Sequence, residues 1–141
     1  MSIHDSGTFA RAVPVGRPHE IAAREAGLRN YLAGHSAECQ VAADYARRGY
    51  ALLHQCWRGK QGEVDLILRD GPGLLFVEVK KARDFDTAVQ RLGQRQLRRI
   101  ARAAQEYMQK EGYSLRTLMR FDVALVNAHG EIRVIENIYF D

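Results

Sequence analysis

The sequence predicts an α/β domain, a mixed β-sheet flanked by helices, in the order helix, three strands, helix, two strands. Three observations predict it. A capped helix pattern after Gly34 gives way to three successive strand patterns separated by turn residues. A long helix pattern, Gln94 to Lys110, then precedes two further strands, and a crossover of that kind is what parallel pairing requires. Between the second and third strands lies Asp70-Gly71-Pro72-Gly73, a run of chain-bending residues that closes a tight hairpin.

Composition narrows the class. A chain of 141 residues fits one domain with a real core, and 46% apolar with 27% charged residues is ordinary for a globular protein. No apolar run approaches the ~18 residues of a membrane span. The start, Met1 to Ser6, lacks the charged and apolar regions of a secretory signal, so a reducing cytoplasm is the expected location. Cys39 and Cys56 are too few for a disulfide framework, and their spacing does not suit structural zinc. A net charge of +4 and a pI near 9.3 permit nucleic-acid binding without establishing it.

Residues 1–18 carry Gly7, Pro14, Gly16 and Pro18 and read as a flexible arm, leaving 19–141 as a single domain. His19 to Leu32 fits a short helix through Ile21, Ala22, Glu25 and Leu28. Ser36 is a helix N-cap, and Arg47-Arg48-Gly49 is a stop with cations in the last turn and glycine after it. Glu38 shares the stripe of Val41, Ala42 and Tyr45. It either serves the helix dipole or aims a carboxylate at the hairpin. Tyr50 to Trp57 is the first strand, and Arg58 to Gly62 is a basic turn containing Lys60.

The hairpin follows. In its first arm Val64, Leu66 and Leu68 share one face, and Glu63, Asp65 and Ile67 the other. In its second arm Leu75, Val77 and Val79 share one face, and Phe76, Glu78 and Lys80 the other. Asp86 or Thr87 is expected to cap a short helix that weakens near Gly93. In the long helix Leu97, Ile100, Ala101, Ala104 and Met108 form the apolar stripe, with Gln96 and Tyr107 on its flank. Arg95, Arg98, Arg99 and Arg102 form a second stripe opposite, either a solvated face or a phosphate contact; guanidinium suits phosphate better than ammonium does. Arg120 to Val126 is a strand, Asn127 to Gly130 a turn, and Ile132 to Tyr139 the closing strand.

Asp65, Glu78 and Lys80 are the residues that need a reason, because charges on so apolar a hairpin are costly unless paired or bound to metal. An ion pair between Lys80 and either carboxylate is the structural explanation. The chemical one is a hard divalent cation held by two carboxylates on adjacent strands. Such a cation polarises phosphate and acidifies a bound water, and a nearby lysine orients that water or offsets developing charge.

The pattern Asp65 … Glu78-Val79-Lys80 resembles the PD-(D/E)xK nuclease superfamily. Ser36-Ala37-Glu38, Gly49-Tyr50, Gly62-Glu63-Val64-Asp65-Leu66-Ile67, Phe76-Val77-Glu78-Val79-Lys80 and Phe121-Asp122-Val123 together resemble the YraN-like family, also called UPF0102, over roughly residues 34–139. The resemblance implies a restriction-endonuclease-like fold, similar to that of archaeal Holliday-junction resolvases. It implies Mg2+ or Mn2+ held by Asp65, Glu78, the Val79 carbonyl and Glu38, with Lys80 catalytic and Glu63 in support. The implied substrate is DNA with branched or single-stranded features. Many relatives carry lysine where this chain has Gln96, which binds phosphate or water without bringing charge. No proline precedes Asp65, although the superfamily's name advertises one.

Two further readings stand beside the nuclease. One is a nucleic-acid-binding module without turnover, resting on the arginine helix and the Arg58 to Lys60 turn. The other is an adaptor for a protein partner. A homodimer is compatible with all three.

Overall fold

The computed structural model describes residues 2–3 and 36–138. The elements are β1 (Ser2–Ile3), α1 (Ala37–Arg47), β2 (Ala51–Arg58), β3 (Glu63–Asp70), β4 (Gly73–Lys81), α2 (Phe85–Gln90), α3 (Gln94–Lys110), β5 (Met119–Val126) and β6 (Ile132–Glu136). The order in the sheet is β1-β6-β5-β4-β3-β2. β4 and β5 are parallel, joined by the α2–α3 crossover, and the other neighbours are antiparallel. This mixed sheet with helices on both faces is consistent with the restriction-endonuclease-like architecture. The helix expected over His19 to Leu32 and most of the expected arm lie outside the described residues. Ser2–Ile3 pairs with Ile135 and Glu136 of β6.

Local chemistry sets the helix ends. The Ser36 hydroxyl accepts the Cys39 N–H at 3.1 Å, which satisfies one of the free donors of the first turn of α1. Gly49, at φ 96°, follows the helix end. α2 is capped by Asp84, not by Asp86 or Thr87. Asp84 is the last extended residue, and its Oδ1 accepts the Thr87 N–H at 2.7 Å, which places Thr87 three positions inside. The β3–β4 hairpin turns on Gly71, at φ 57°, and Pro72, an order suited to two-residue turns that begin with glycine.

The sheet is buried on both faces. Val41, Ala42 and Tyr45 of α1 pack on Leu66, Leu68, Leu75, Val77, Val79, Ala124, Val126 and Val134. On the other face, Ala103, Ala104, Tyr107 and Met108 of α3 cover Ile67, Leu74 and Phe76. Leu97 and Ile100 of α3, with Ala88 of α2, cover Val123, Leu125 and Ile138. Burying one such aliphatic or aromatic side chain contributes ~1.5–3 kcal/mol. β4 is therefore buried almost continuously, as a central strand flanked by helices should be. Only toward its end do Glu78, Lys80 and Lys81 break the run.

Three expectations are corrected. Val64 packs with Ile67 on the α3 side, not with Leu66 and Leu68. The partner strand is irregular beside it: Cys56, next to the Trp57 that pairs with Val64, has φ 53°. Such irregularities increase twist and re-aim side chains. In α3, Ala103 and Tyr107 are buried and Ala101 only half-buried. Tyr107 leaves the expected flank because an edge-on cluster of His54, Trp57 and Phe76 receives its ring. β6 stops at Glu136, before the expected end, where Asn137 turns to φ 57°.

Candidate active site

The β3–β4 ladder pairs Arg69 with Leu74, Leu68 with Leu75, Ile67 with Phe76 and Leu66 with Val77, and ends there. Beyond that point the arms separate. β4 goes on pairing with β5 through Lys81, so Val79 would be left with an unmatched N–H on its β3 side. Asp65 fills that place: its Oδ2 accepts the Val79 N–H at 2.8 Å. One oxygen is thereby fixed, and the carboxylate retains further acceptor positions.

The separation opens a cleft of about 530 Å³ between the start of α1 and the start of α3. Asp65, Glu78, Val79 and Lys80 form its sheet wall, Glu38 contributes from α1, and Gln96 and Arg99 come from α3. Gln96 Nε2 donates to Glu78 Oε2 at 3.0 Å and so orients that carboxyl. Burial pushes the Glu78 carboxyl up from 4.5 to about 8. The neighbouring Asp65 carboxyl adds to the rise as hydrogen-bond partner and like charge, and Lys80 and Gln96 oppose it. Two carboxyls within hydrogen-bonding reach in a half-buried cleft need a shared proton or a cation.

The sequence-predicted residues divide accordingly. Asp65, Glu78, Val79, Lys80, Glu38 and Gln96 converge on the cleft. Glu38 shares its wall without closing into a three-carboxylate cage: among the described residues, no three His, Cys, Asp or Glu side chains are grouped tightly enough for one. Glu63 reaches the cleft rim but is engaged elsewhere, since its Oε1 pairs with Arg58 Nε at 3.0 Å and both side chains are largely exposed. Arg58 is thus paired with Glu63 in an exposed contact. Arg95, Arg98, Arg99 and Arg102 are all exposed, and Arg99 stands at the cleft wall. None of the four pairs with a described carboxylate.

Lys60 is exposed, and its turn is fastened to α3 by a residue that local sequence patterns do not single out. Glu106 Oε2 accepts the Lys60 N–H at 2.9 Å and Oε1 accepts the Gln61 N–H at 2.7 Å. Lys110 Nζ lies 2.8 Å from the same Oε2. The charged Lys110 partner, with those two N–H donors, holds the Glu106 carboxyl down to about 2. Contacts over 45 and 46 residues have no local signature, so periodicity and capping could not have revealed them.

Asp122, from the Phe121-Asp122-Val123 stretch, does not join the cleft. Its Oδ2 accepts the Tyr45 O–H at 2.7 Å and Arg120 Nη2 at 2.9 Å, and its Oδ1 accepts the Asn137 N–H at 3.0 Å. Asp122 is 1% exposed and Arg120 4%, so this is a buried ion pair whose carboxylate side is stabilised by three hydrogen bonds. It ties α1 to β5 and to the end of β6.

No helix among the described residues is long and apolar enough to cross a membrane. The model of the Uncharacterised protein family UPF0102 matches residues 37–126, from the start of α1 to the end of β5. A UPF0102 protein of Ruegeria pomeroyi is 50% identical over 113 residues, covering 80% of this chain and 92% of that protein. A UPF0102 protein of Roseobacter denitrificans is 44% identical over 120 residues, covering 85% and 93% respectively. Another, from Cereibacter sphaeroides, is 44% identical over 113 residues, covering 80% and 97%. The matched span holds both strands of the hairpin, the helix that bears Gln96 and the helix that bears Glu38, and the chain belongs to the UPF0102 family.

Proposed function

We propose that this protein is a metal-dependent endonuclease that cuts DNA phosphodiester bonds. The observation that carries the reading is the Asp65–Glu78 carboxyl pair, placed where the hairpin separates and set beside Lys80 in one cleft. A structural ion pair would need only one of the two acids. The donor set is all oxygen, which suits a hard cation such as Mg2+ or Mn2+. Asp65 and Glu78 would hold it, with the Val79 carbonyl and Glu38 as further donors. Mg2+ keeps several waters, so a two-carboxylate grip is sufficient and a complete protein cage is not needed. When bound, the ion polarises the phosphate and acidifies an attacking water.

The remaining roles belong to the chain. Gln96 keeps the Glu78 carboxyl turned into the cleft. The Val79 N–H does the same for Asp65. Lys80 supplies positive charge where negative charge grows on the phosphate. Arg99 at the cleft wall, with Arg95, Arg98 and Arg102 along the same helix, holds the flanking backbone phosphates. This constellation resembles the PD-(D/E)xK nucleases, and branched or single-stranded DNA is the substrate class that the resemblance favours.

A second reading, a nucleic-acid-binding module without turnover, draws on the same arginine face and on the lack of a three-carboxylate cage among the described residues. A cleavage assay separates the two. Linear, flapped and four-way DNA are incubated with Mg2+, Mn2+ or chelator. Metal-dependent cutting that Asp65→Ala and Glu78→Ala both abolish supports the nuclease. Tight binding with no cutting under any condition refutes it.

A further inference from the structure

The β3 arm that bears Asp65 receives no ladder bonds from β4 beyond Leu66 and is held there by β2 alone, which pairs Trp57 with Val64 and Arg58 with Glu63. On its outer side it continues into the Arg58–Gly62 turn, and that turn rests on α3 at two points. Glu106 accepts the N–H groups of both Lys60 and Gln61. Gly62, at φ 149°, lies so close to Arg99 that an added Cβ would sit 3.0 Å from Cγ. Gly59 is more tightly confined: a Cβ there would stand 2.5 Å from Trp57 Cη2 and 2.6 Å from Glu106 Oε1. The same helix orients Glu78 through Gln96. Gln96 and Glu106 are ten residues apart, ~15 Å along a rigid rod.

We propose that Glu106 is a positioning residue for the candidate site, clasping the β2–β3 turn to α3 so that one helix sets the separation between Asp65 and Glu78. This rests on the reading of those two acids as the site. Glu106 touches neither acid. It acts through the closed end of the β2–β3 hairpin, where Arg58 pairs with Glu63 and Trp57 with Val64, by fastening that paired end to α3. A carboxylate is suited to this because its two oxygens accept two successive N–H groups at once, whereas an amide offers only one acceptor atom. The Lys110 ion pair is exposed on one side and contributes little by itself.

The test is residue-resolved amide exchange on the whole protein, which requires neither metal nor cleavage. In Glu106→Ala the Lys60 and Gln61 amides should exchange at least tenfold faster, and so should Val79, whose N–H is accepted by Asp65. Glu106→Gln should restore part of the protection at Val79. Gly59→Ala, which displaces the clasp from its other side, should reproduce the Glu106→Ala pattern; Lys110→Ala should not. Amides of Leu66 and Val77 serve as the internal check that the sheet is intact. Faster exchange at Lys60 and Gln61 with unchanged protection at Val79 overturns the proposal, since Glu106 would then secure only its own turn. A protein that binds no Mn2+ and cuts no DNA defeats the nuclease reading, whereas the exchange pattern tests the clasp independently of that outcome.

Discussion

Glu78→Gln should stabilise the metal-free protein, and by more as the pH rises. In the unfolded chain the carboxyl releases its proton near 4.5; in the folded protein, buried beside Asp65, it does so only at about 8. The folded-state value is raised, so between the two the folded protein keeps a proton that the unfolded chain has lost. That contribution to stability is complete below pH 4.5 and disappears as pH climbs through about 8. Each pH unit inside the window is worth ~1.4 kcal/mol. Between pH 6 and pH 8 the wild type should therefore lose about 2 kcal/mol relative to Glu78→Gln, whose amide does not titrate. The variant retains a side-chain oxygen to accept the Gln96 N–H, so the packing of the cleft is little changed. Urea unfolding in chelator at pH 6, 7 and 8 measures the difference directly. Curves for the two proteins that stay parallel across that range would show that Glu78 ionises freely, and the argument from a crowded acidic pair would fail. Adding Mn2+ should then recover stability in the wild type and far less in the variant, because a ligand stabilises only the state that binds it.

Lys80→Ala should lower the cleavage rate ~100- to 1,000-fold while leaving DNA affinity nearly unchanged, because an electrostatic group in the reaction acts mainly in the transition state. Full activity in that variant would make Lys80 an ion-pair partner only. Replacing Arg99 and Arg102 together should flatten the dependence of log affinity on log salt by ~0.9 for each phosphate no longer neutralised, measured by fluorescence anisotropy on duplex DNA. An unaltered slope would leave the stripe as a solvated face. Tyr45→Phe should destabilise by about 1–3 kcal/mol in denaturant titrations, since it removes a 2.7 Å donor from the buried Asp122 carboxylate while keeping the ring. No measurable loss would mean that Arg120 and the Asn137 N–H satisfy Asp122 by themselves.

What the sequence determined by itself is what travels over three or four residues. The Ser36 cap, the stop at Gly49, the Gly71-Pro72 turn and the full extent of α3 from Gln94 to Lys110 were all legible, because capping, turn geometry and helical periodicity are local. So was the oddity of Asp65, Glu78 and Lys80 on an apolar hairpin, since alternation shows which side chains share a face. Where local patterns misled, a tertiary contact had outweighed them. Tyr107 left its flank for an aromatic cluster supplied by β2 and β4, and Val64 changed sides opposite the positive φ of Cys56 in β2. Asp84, rather than Asp86 or Thr87, captured the first turn of α2 because the chain stays extended until that residue. The site itself was decided only in three dimensions. Separation of the hairpin beyond Leu66 and Val77 turns Asp65 onto the Val79 N–H and opens the cleft. Glu63 and Arg58, read in the sequence as a supporting acid and a phosphate contact, face each other in an exposed ion pair. The rise of Glu78 to about 8 and the clasp of Glu106 on Lys60 and Gln61 depend on burial and on partners far away along the chain. Periodicity places a residue on a face. Only the register of the sheet and the seating of α3 decide which charge that face meets.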